Sequence, residues 1–183
     1  VTLRPAQGGR PETMWEGRFI KVVKDGRWEY AARNRGIEAA VILAIDAEDH
    51  VILVEQFRVP LGRNCLEIPA GLVGDDTAGE PIAEAANREL EEETGYRADR
   101  IEELGVFHAS PGMVSEGFTL VRAHGLTKVG EGGGDGDENI TVHRVKRCEV
   151  PSLVAAKRAE GCAIDVKLLL LLAETLLNPH TAG

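Results

Sequence analysis

Three carboxylates in this chain are spaced so that together they can hold a metal ion. Glu89, Glu92 and Glu93 stand at i, i+3 and i+4, directly after Arg88. On a helix this spacing gathers the acids on one face, and Arg88 is four residues ahead of Glu92, within reach of an ion pair. Like charges crowded in this way repel one another unless a cation sits among them. An all-oxygen donor set suits Mg²⁺, with Mn²⁺ as the alternative, and both ions also bind substrate phosphates.

The elements that must position these acids follow from the neighbouring residues. Pro81 suits the first position of a helix, and Gly95 suits the left-handed residue just past its end. Between them Ile82, Ala86 and Leu90 recur every four residues and form the stripe to be buried. Leu66-Glu67-Ile68 reads as a short strand entering a Pro69-Ala70-Gly71 bend, where exposed carbonyls offer hard metal ligands. Further strands are expected over Met14–Val23 and Arg27–Arg33, joined at Lys24-Asp25-Gly26. Ile37–Ile45, Val51–Phe57, Ala98–His108, Phe118–His124 and Ile140–Val145 are also strand-like. Pro151–Glu160 and Val166–Leu177 read as helices, the second capped by Asp165. This order of elements argues for a mixed α/β sandwich and against a doubly wound parallel sheet.

Over a longer stretch, Gly74, Glu80, Arg88-Glu89-Leu90, Glu92-Glu93, Gly95 and Tyr96 fit the pattern G-x5-E-x7-R-E-U-x-E-E-x-G-U, with U apolar. This stretch resembles the Nudix box, the signature of hydrolases that cleave a nucleoside diphosphate linked to another group. Beyond it, Pro111 lies sixteen residues past Gly95, within Ser110-Pro111-Gly112 and followed by Glu116. Together with Glu55-Gln56-Phe57-Arg58 and Leu66–Gly71, this layout is similar to the ADP-ribose pyrophosphatase branch. GDP-mannose hydrolases share much of it.

The resemblance implies a Nudix α/β/α sandwich of mixed β-sheet with an N-terminal antiparallel β-hairpin extension. Residues 1–36 would form the hairpin region, through which two copies make a homodimer. Residues 37–183 would form the hydrolase domain, with the box at 74–96. It implies metal binding by Glu89 and Glu93, with Glu92 as ligand or partner and the Ala70 carbonyl completing the inner site. Arg88 would hold the glutamates and Glu80 the loop geometry. Arg58, Glu67, Trp28 and Pro111 become the candidate substrate contacts. Asp165 and Lys167 lie near the site in relatives, although a helix cap accounts for Asp165.

In the loop Gly125–Asn139 the likeness weakens. Anchored on Ile140-Thr141-Val142, Glu138 falls on a metal-binding Glu of the branch, and Gly136 stands where an earlier Glu is proposed as general base. Asp135, Asp137, Glu131 and Glu116 are alternatives for the base, in a loop whose glycines favour mobility. The expected activity is Mg²⁺-dependent hydrolysis of a nucleoside diphosphate sugar, ADP-ribose to AMP and ribose 5-phosphate. GDP-mannose or another nucleotide sugar is the alternative substrate. A non-hydrolytic sugar-nucleotide-binding regulator is the third reading, and the intact box argues against it.

The whole chain agrees with a small-molecule enzyme. Its 183 residues suit one domain. A composition 43% hydrophobic and 28% charged supports a core. A net charge of −9 argues against nucleic-acid binding. Cys65, Cys148 and Cys162 form no CxxC pair, which fits a reducing cytoplasm. The apolar run Leu168–Ala173 is too short to cross a bilayer. Trp15, Phe19, Trp28 and Tyr30 are half of the eight aromatics. They suit a core, a second subunit or a stacked base. His108, His124 and His143 lack metal-ligand spacing.

Overall fold

Gly17 splits the first expected strand in two. Glu12–Glu16 (β1) and Ile20–Asp25 (β2) are separate because the chain reverses between them, with Gly17 N–H donating to the Ile20 carbonyl at 2.9 Å. Gly26, at φ 60°, then turns β2 into Trp28–Arg33 (β3), as the Asp-Gly pair predicts. The N-terminal hairpin is therefore a three-stranded antiparallel sheet, β1-β2-β3. The computed structural model describes residues 10–34, 38–74, 79–134 and 138–172. The expected boundary at 36/37 and the last turns of the final expected helix lie outside the described residues.

The next strands are Glu38–Ala44 (β4), His50–Arg58 (β5), Arg63–Glu67 (β6) and Ala70–Val73 (β7). The helix Ile82–Thr94 (α1) follows, then Tyr96–Arg97 (β8), Arg100–Phe107 (β9), Phe118–His124 (β10) and Thr127–Lys128 (β11). Thr141–Lys146 (β12), Val150–Ala159 (α2) and Ala163–Ile164 (β13) come next. The chain from Val166 to Leu172 is 3₁₀ rather than α-helical, and Asp165 caps it by accepting the Lys167 N–H at 2.7 Å.

Two four-stranded mixed sheets form the body, ordered β7-β4-β10-β9 and β12-β5-β6-β13. β4 and β10 run parallel, as do β6 and β13. β4 is almost wholly apolar and is covered on both faces. Its Val41 and Leu43 pack with Leu53, Leu66 and Leu120 and with Val150, Leu168 and Leu171 from the C-terminal elements. Ala40, Ile42 and Ala44 pack against Ala85, Ala86 and Leu90 of α1. Helices thus cover opposite sides of the strands, giving the α/β/α layering. Gly105 has φ 121° and lies at a register shift between β9 and β10.

The N-terminal sheet docks on the body through β3. Ala31 N–H donates to the Met113 carbonyl, and Ser115 N–H to the Ala31 carbonyl, each at 3.0 Å. Trp15, Phe19 and Trp28 are each more than half exposed, so in the single chain these aromatics are not core. No helix among the described residues is long and apolar enough to cross a membrane.

Leu90 is fully buried where α1 meets the sheet. Leu90→Ala is expected to cost about 2–5 kcal/mol by lost transfer energy and a residual cavity. Urea unfolding measures this, and a loss under about 1 kcal/mol would mean that α1 is not anchored there.

Candidate active site

α1 carries the acids on the side facing the Pro69–Gly71 bend. Pro81 is its N-cap rather than its first residue, with its carbonyl accepting the N–H groups of Glu84 and Ala85 at 3.0 and 3.1 Å. Gly95 takes the left-handed cap position, at φ 69° and ψ 15°. Of the expected stripe, Ala86 and Leu90 are fully buried and Ile82 is half-buried.

Arg88 gathers the carboxylates that are not buried. Its Nη1 donates to Glu89 Oε1 and Glu92 Oε2, both at 3.0 Å. Nε and Nη2 reach the two oxygens of Glu80 at 3.3 and 3.4 Å, and Nη2 also reaches the Leu72 carbonyl at 3.4 Å. The Glu80 carboxylate, first among these partners, holds the Arg88 guanidinium above its ordinary pKa. Glu89 lies directly over Gly71, where any side chain would overlap its carboxyl carbon. A side chain at this position would have to displace the Glu89 carboxylate from the bend.

Glu93 is only 5% exposed. Its Oε2 accepts the Ala70 N–H at 3.1 Å, so the bend meets this acid through a donor. Burial, before any other influence, pushes the Glu93 carboxyl up from an ordinary 4.5 to about 8. The Ala70 N–H works against that rise, and the charges of Glu89 and Glu138 add to it.

These groups open onto a cavity of about 450 Å³. Glu67, Ala70, Glu89, Glu93 and Glu138 line it, joined by Glu116 and by the cations Arg33, Arg58 and Lys167. Each cation has a carboxylate partner. Arg58 is bidentate on the buried Glu67, through Nε at 2.6 Å and Nη2 at 2.8 Å, and that bond raises its pKa. Arg33 Nε pairs with Glu116, and Lys167 Nζ with Asp165.

The structure therefore brings Arg58, Glu67, Ala70, Glu89, Glu93, Glu116 and Glu138 to one cavity. Glu92 stands behind it on Arg88. Trp28 and Pro111 are exposed and do not line that cavity in the single chain. Glu131 is also exposed, while Asp135, Gly136 and Asp137 lie outside the described residues. Arg33 had no local signal in the sequence, since its place depends on how β3 docks. His108, His124 and His143 lie apart, meeting the Glu116 carbonyl, Glu102 and Glu55 at 3.3, 2.7 and 3.0 Å.

Among the described residues, no three acids, histidines or cysteines are gathered tightly enough to hold an ion as they stand. The acids are instead drawn onto protein donors: Glu89 and Glu92 onto Arg88, Glu93 onto Ala70 and Glu67 onto Arg58. The donor chemistry still fits a hard divalent cation. Glu89, Glu93 and Glu138 present carboxylate oxygens to one cavity, and among the described residues the buried Glu93 has one hydrogen-bond donor and two like charges beside it.

Comparison with known proteins bears on the same region. The NUDIX domain model matches residues 35–162. A methanol dehydrogenase activator from Bacillus methanolicus is 34% identical over 156 residues, 81% of this chain and 83% of its own. A GDP-mannose pyrophosphatase from Cronobacter sakazakii is 35% identical over 167 residues, 85% of this chain and 83% of its own. An ADP-ribose pyrophosphatase from Bacillus subtilis is 45% identical over 78 residues, 43% of this chain and 40% of its own. A crystal structure described as an ADP compounds hydrolase superposes with a TM-score of 0.73 at 25% identity, covering 98% of both chains.

The raised Glu93 carboxyl has a consequence for stability. The unfolded chain releases this proton near 4.5 and the metal-free fold near 8. The fold thus binds the extra proton in between, and stability falls as pH rises through that window. One pKa unit is worth about 1.4 kcal/mol, so the loss is on the order of a few kcal/mol. Urea unfolding in EDTA at both ends of the window should show it, and Glu93→Gln should flatten it. An equal slope in both proteins would exclude Glu93 as the source.

Proposed function

The chain belongs to the NUDIX family, and from that premise we propose that it hydrolyses the diphosphate of a nucleoside diphosphate sugar, foremost ADP-ribose to AMP and ribose 5-phosphate. The observation that carries this reading is a single cavity lined both by the acids Glu89, Glu93 and Glu138 and by the cations Arg33, Arg58 and Lys167. A diphosphate needs both: oxygen ligands for the cations that neutralise it, and fixed positive groups that orient its ends.

In this reading Glu89, Glu93 and Glu138 hold Mg²⁺, or Mn²⁺ in its place, with the Ala70 backbone beside them. What bound divalent ions supply in such a site is neutralisation of the diphosphate and a lowered pKa for water. Arg88 keeps Glu89 and Glu92 in place. Arg58, braced by Glu67, directs its remaining donors at the substrate. A carboxylate must also take the proton of the attacking water, and Glu138 is the candidate already in the cavity wall. Glu116, whose carboxylate is paired with Arg33, is the other candidate in the cavity wall.

ADP-ribose is favoured by the position of Pro111 and by the names of the Bacillus subtilis relative and the superposed structure. GDP-mannose is the second reading, favoured by the longer match to the Cronobacter sakazakii enzyme. The free thiols of Cys65, Cys148 and Cys162 support a reducing, cytoplasmic setting. We propose further that two copies associate through the N-terminal region, residues 1–36. The exposed Met14, Trp15, Phe19 and Trp28 support that.

Product analysis across a panel of nucleotide sugars, with Mg²⁺ or EDTA, tests the activity. AMP and ribose 5-phosphate from ADP-ribose, faster than GMP from GDP-mannose, is expected; faster GMP release would move the substrate assignment. Glu93→Gln should lower kcat by more than about 100-fold, beyond the cost of losing an outer-shell partner, and Glu138→Gln by roughly 10–100-fold. Near-normal turnover in Glu93→Gln would sink the metal assignment. Light scattering should give twice the 19.7 kDa chain mass, and a monomer at micromolar concentration would rule out the dimer.

A further inference from the structure

The end of α1 is stitched to the start of the loop that carries Glu138. A helix leaves its last carbonyls without intrahelical donors, and here three of them find donors between Lys128 and Gly134. Gly134 N–H donates to the Glu92 carbonyl at 3.0 Å and Gly133 N–H to the Glu93 carbonyl at 2.9 Å. Lys128 Nζ donates to the Thr94 carbonyl at 2.9 Å. Val129 and Gly130 N–H both reach the Gly95 carbonyl, at 2.8 and 3.1 Å. Ile140 N–H donates to the Gly133 carbonyl at 3.0 Å, and its side chain is buried, so the chain is pinned again two residues beyond Glu138.

Only glycine permits this approach. At Gly132, with φ +73°, a Cβ would meet the Glu93 carbonyl oxygen and the Gly95 nitrogen at 2.7 Å each. At Gly134, with φ +77°, a Cβ would overlap Glu138 Oε2 and lie 2.9 Å from both Glu138 Cβ and Ile140 Cδ1. The volume into which the Glu138 side chain folds is the volume that Gly134 leaves empty.

We propose that Gly134 is a positioning residue for Glu138, holding its carboxylate in register with Glu93 through the backbone bonds that tie the loop to the end of α1. The proposal rests on the reading of Glu138 as a ligand or base. The loop glycines then serve close packing against the helix that bears the other acids. Glu138 shares a cavity with Glu93, and the residues on either side of it, Gly133, Gly134 and Ile140, are bonded into one frame with the end of α1.

The test is Mn²⁺ titration of the metal-free full-length chain, following the free ion by electron paramagnetic resonance, alongside kcat and thermal melting. Gly134→Ala should weaken Mn²⁺ binding by about 10-fold or more, the range for losing a group that orients a ligand, and should lower kcat similarly. Glu138→Gln should do the same, and the double variant should be no worse than Glu138→Gln alone. Gly161→Ala has the same left-handed backbone, φ +85°, with nothing within 4 Å of its Cβ, so it controls for backbone strain and should retain binding. Gly134→Asn carries the same overlap on a residue type that tolerates this backbone, and replaces Gly134→Ala if that variant does not fold. Losses that add in the double variant, or wild-type binding in the Gly134 variants beside an impaired Glu138→Gln, overturn the proposal. Wild-type binding and turnover in Glu138→Gln overturn the reading of Glu138, and the proposal with it.

Discussion

A carboxylate buried beside two others is costly, and the architecture around Glu93 is organised by that cost. Among the described residues the acid has one hydrogen-bond donor, the Ala70 N–H, and faces the charges of Glu89 and Glu138, with Arg58 as a lesser opposing charge. The rest of the cluster is held off it. Arg88 draws Glu80, Glu89 and Glu92 to its own guanidinium, and Gly71 leaves room for Glu89 to lie across the bend. The position of α1 is in turn secured by Ala86 and Leu90 against the sheet. Packing energy from the apolar side of the helix thus offsets electrostatic strain on the acidic side.

The cationic wall follows the opposite arrangement. Arg33, Arg58 and Lys167 are each braced by a carboxylate, so the cavity presents oriented cations without a net positive charge. The chain as a whole carries −9, and its long-range field does not attract an anionic substrate. In the proposed reading, recognition of a diphosphate therefore falls to short-range groups: the braced cations and ions held by the acids. This division explains how an acidic protein can handle an acidic substrate.

The helix, its glycine cap, its acidic face and the paired Arg88 were legible because each is set by spacings of three to five residues, which the helical period turns directly into geometry. The hairpin turn at Gly26 was legible for the same reason. Gly17 was harder to read, since a single glycine in a strand-like run signals a break only when the flanking strands find each other. Gly130 to Gly134 read as a flexible stretch by composition, and the fold uses several of these glycines for backbone contacts that no side chain would permit. A glycine has no side chain, so its composition alone cannot tell freedom from close approach.

By itself the sequence determined the chemistry of the acidic face, the family and the α/β class, because all three are written in local periodicity and in a motif of fixed spacing. The tertiary structure alone decided which distant residues meet that face. Arg33 reaches Glu116 across 83 positions, Glu67 is drawn to Arg58 across the β5–β6 pairing, and Lys167 enters from the far end of the described chain. Such meetings depend on strand order and on how sheets pack, and those are fixed by the summed burial of many apolar residues. No short stretch of chain carries that information.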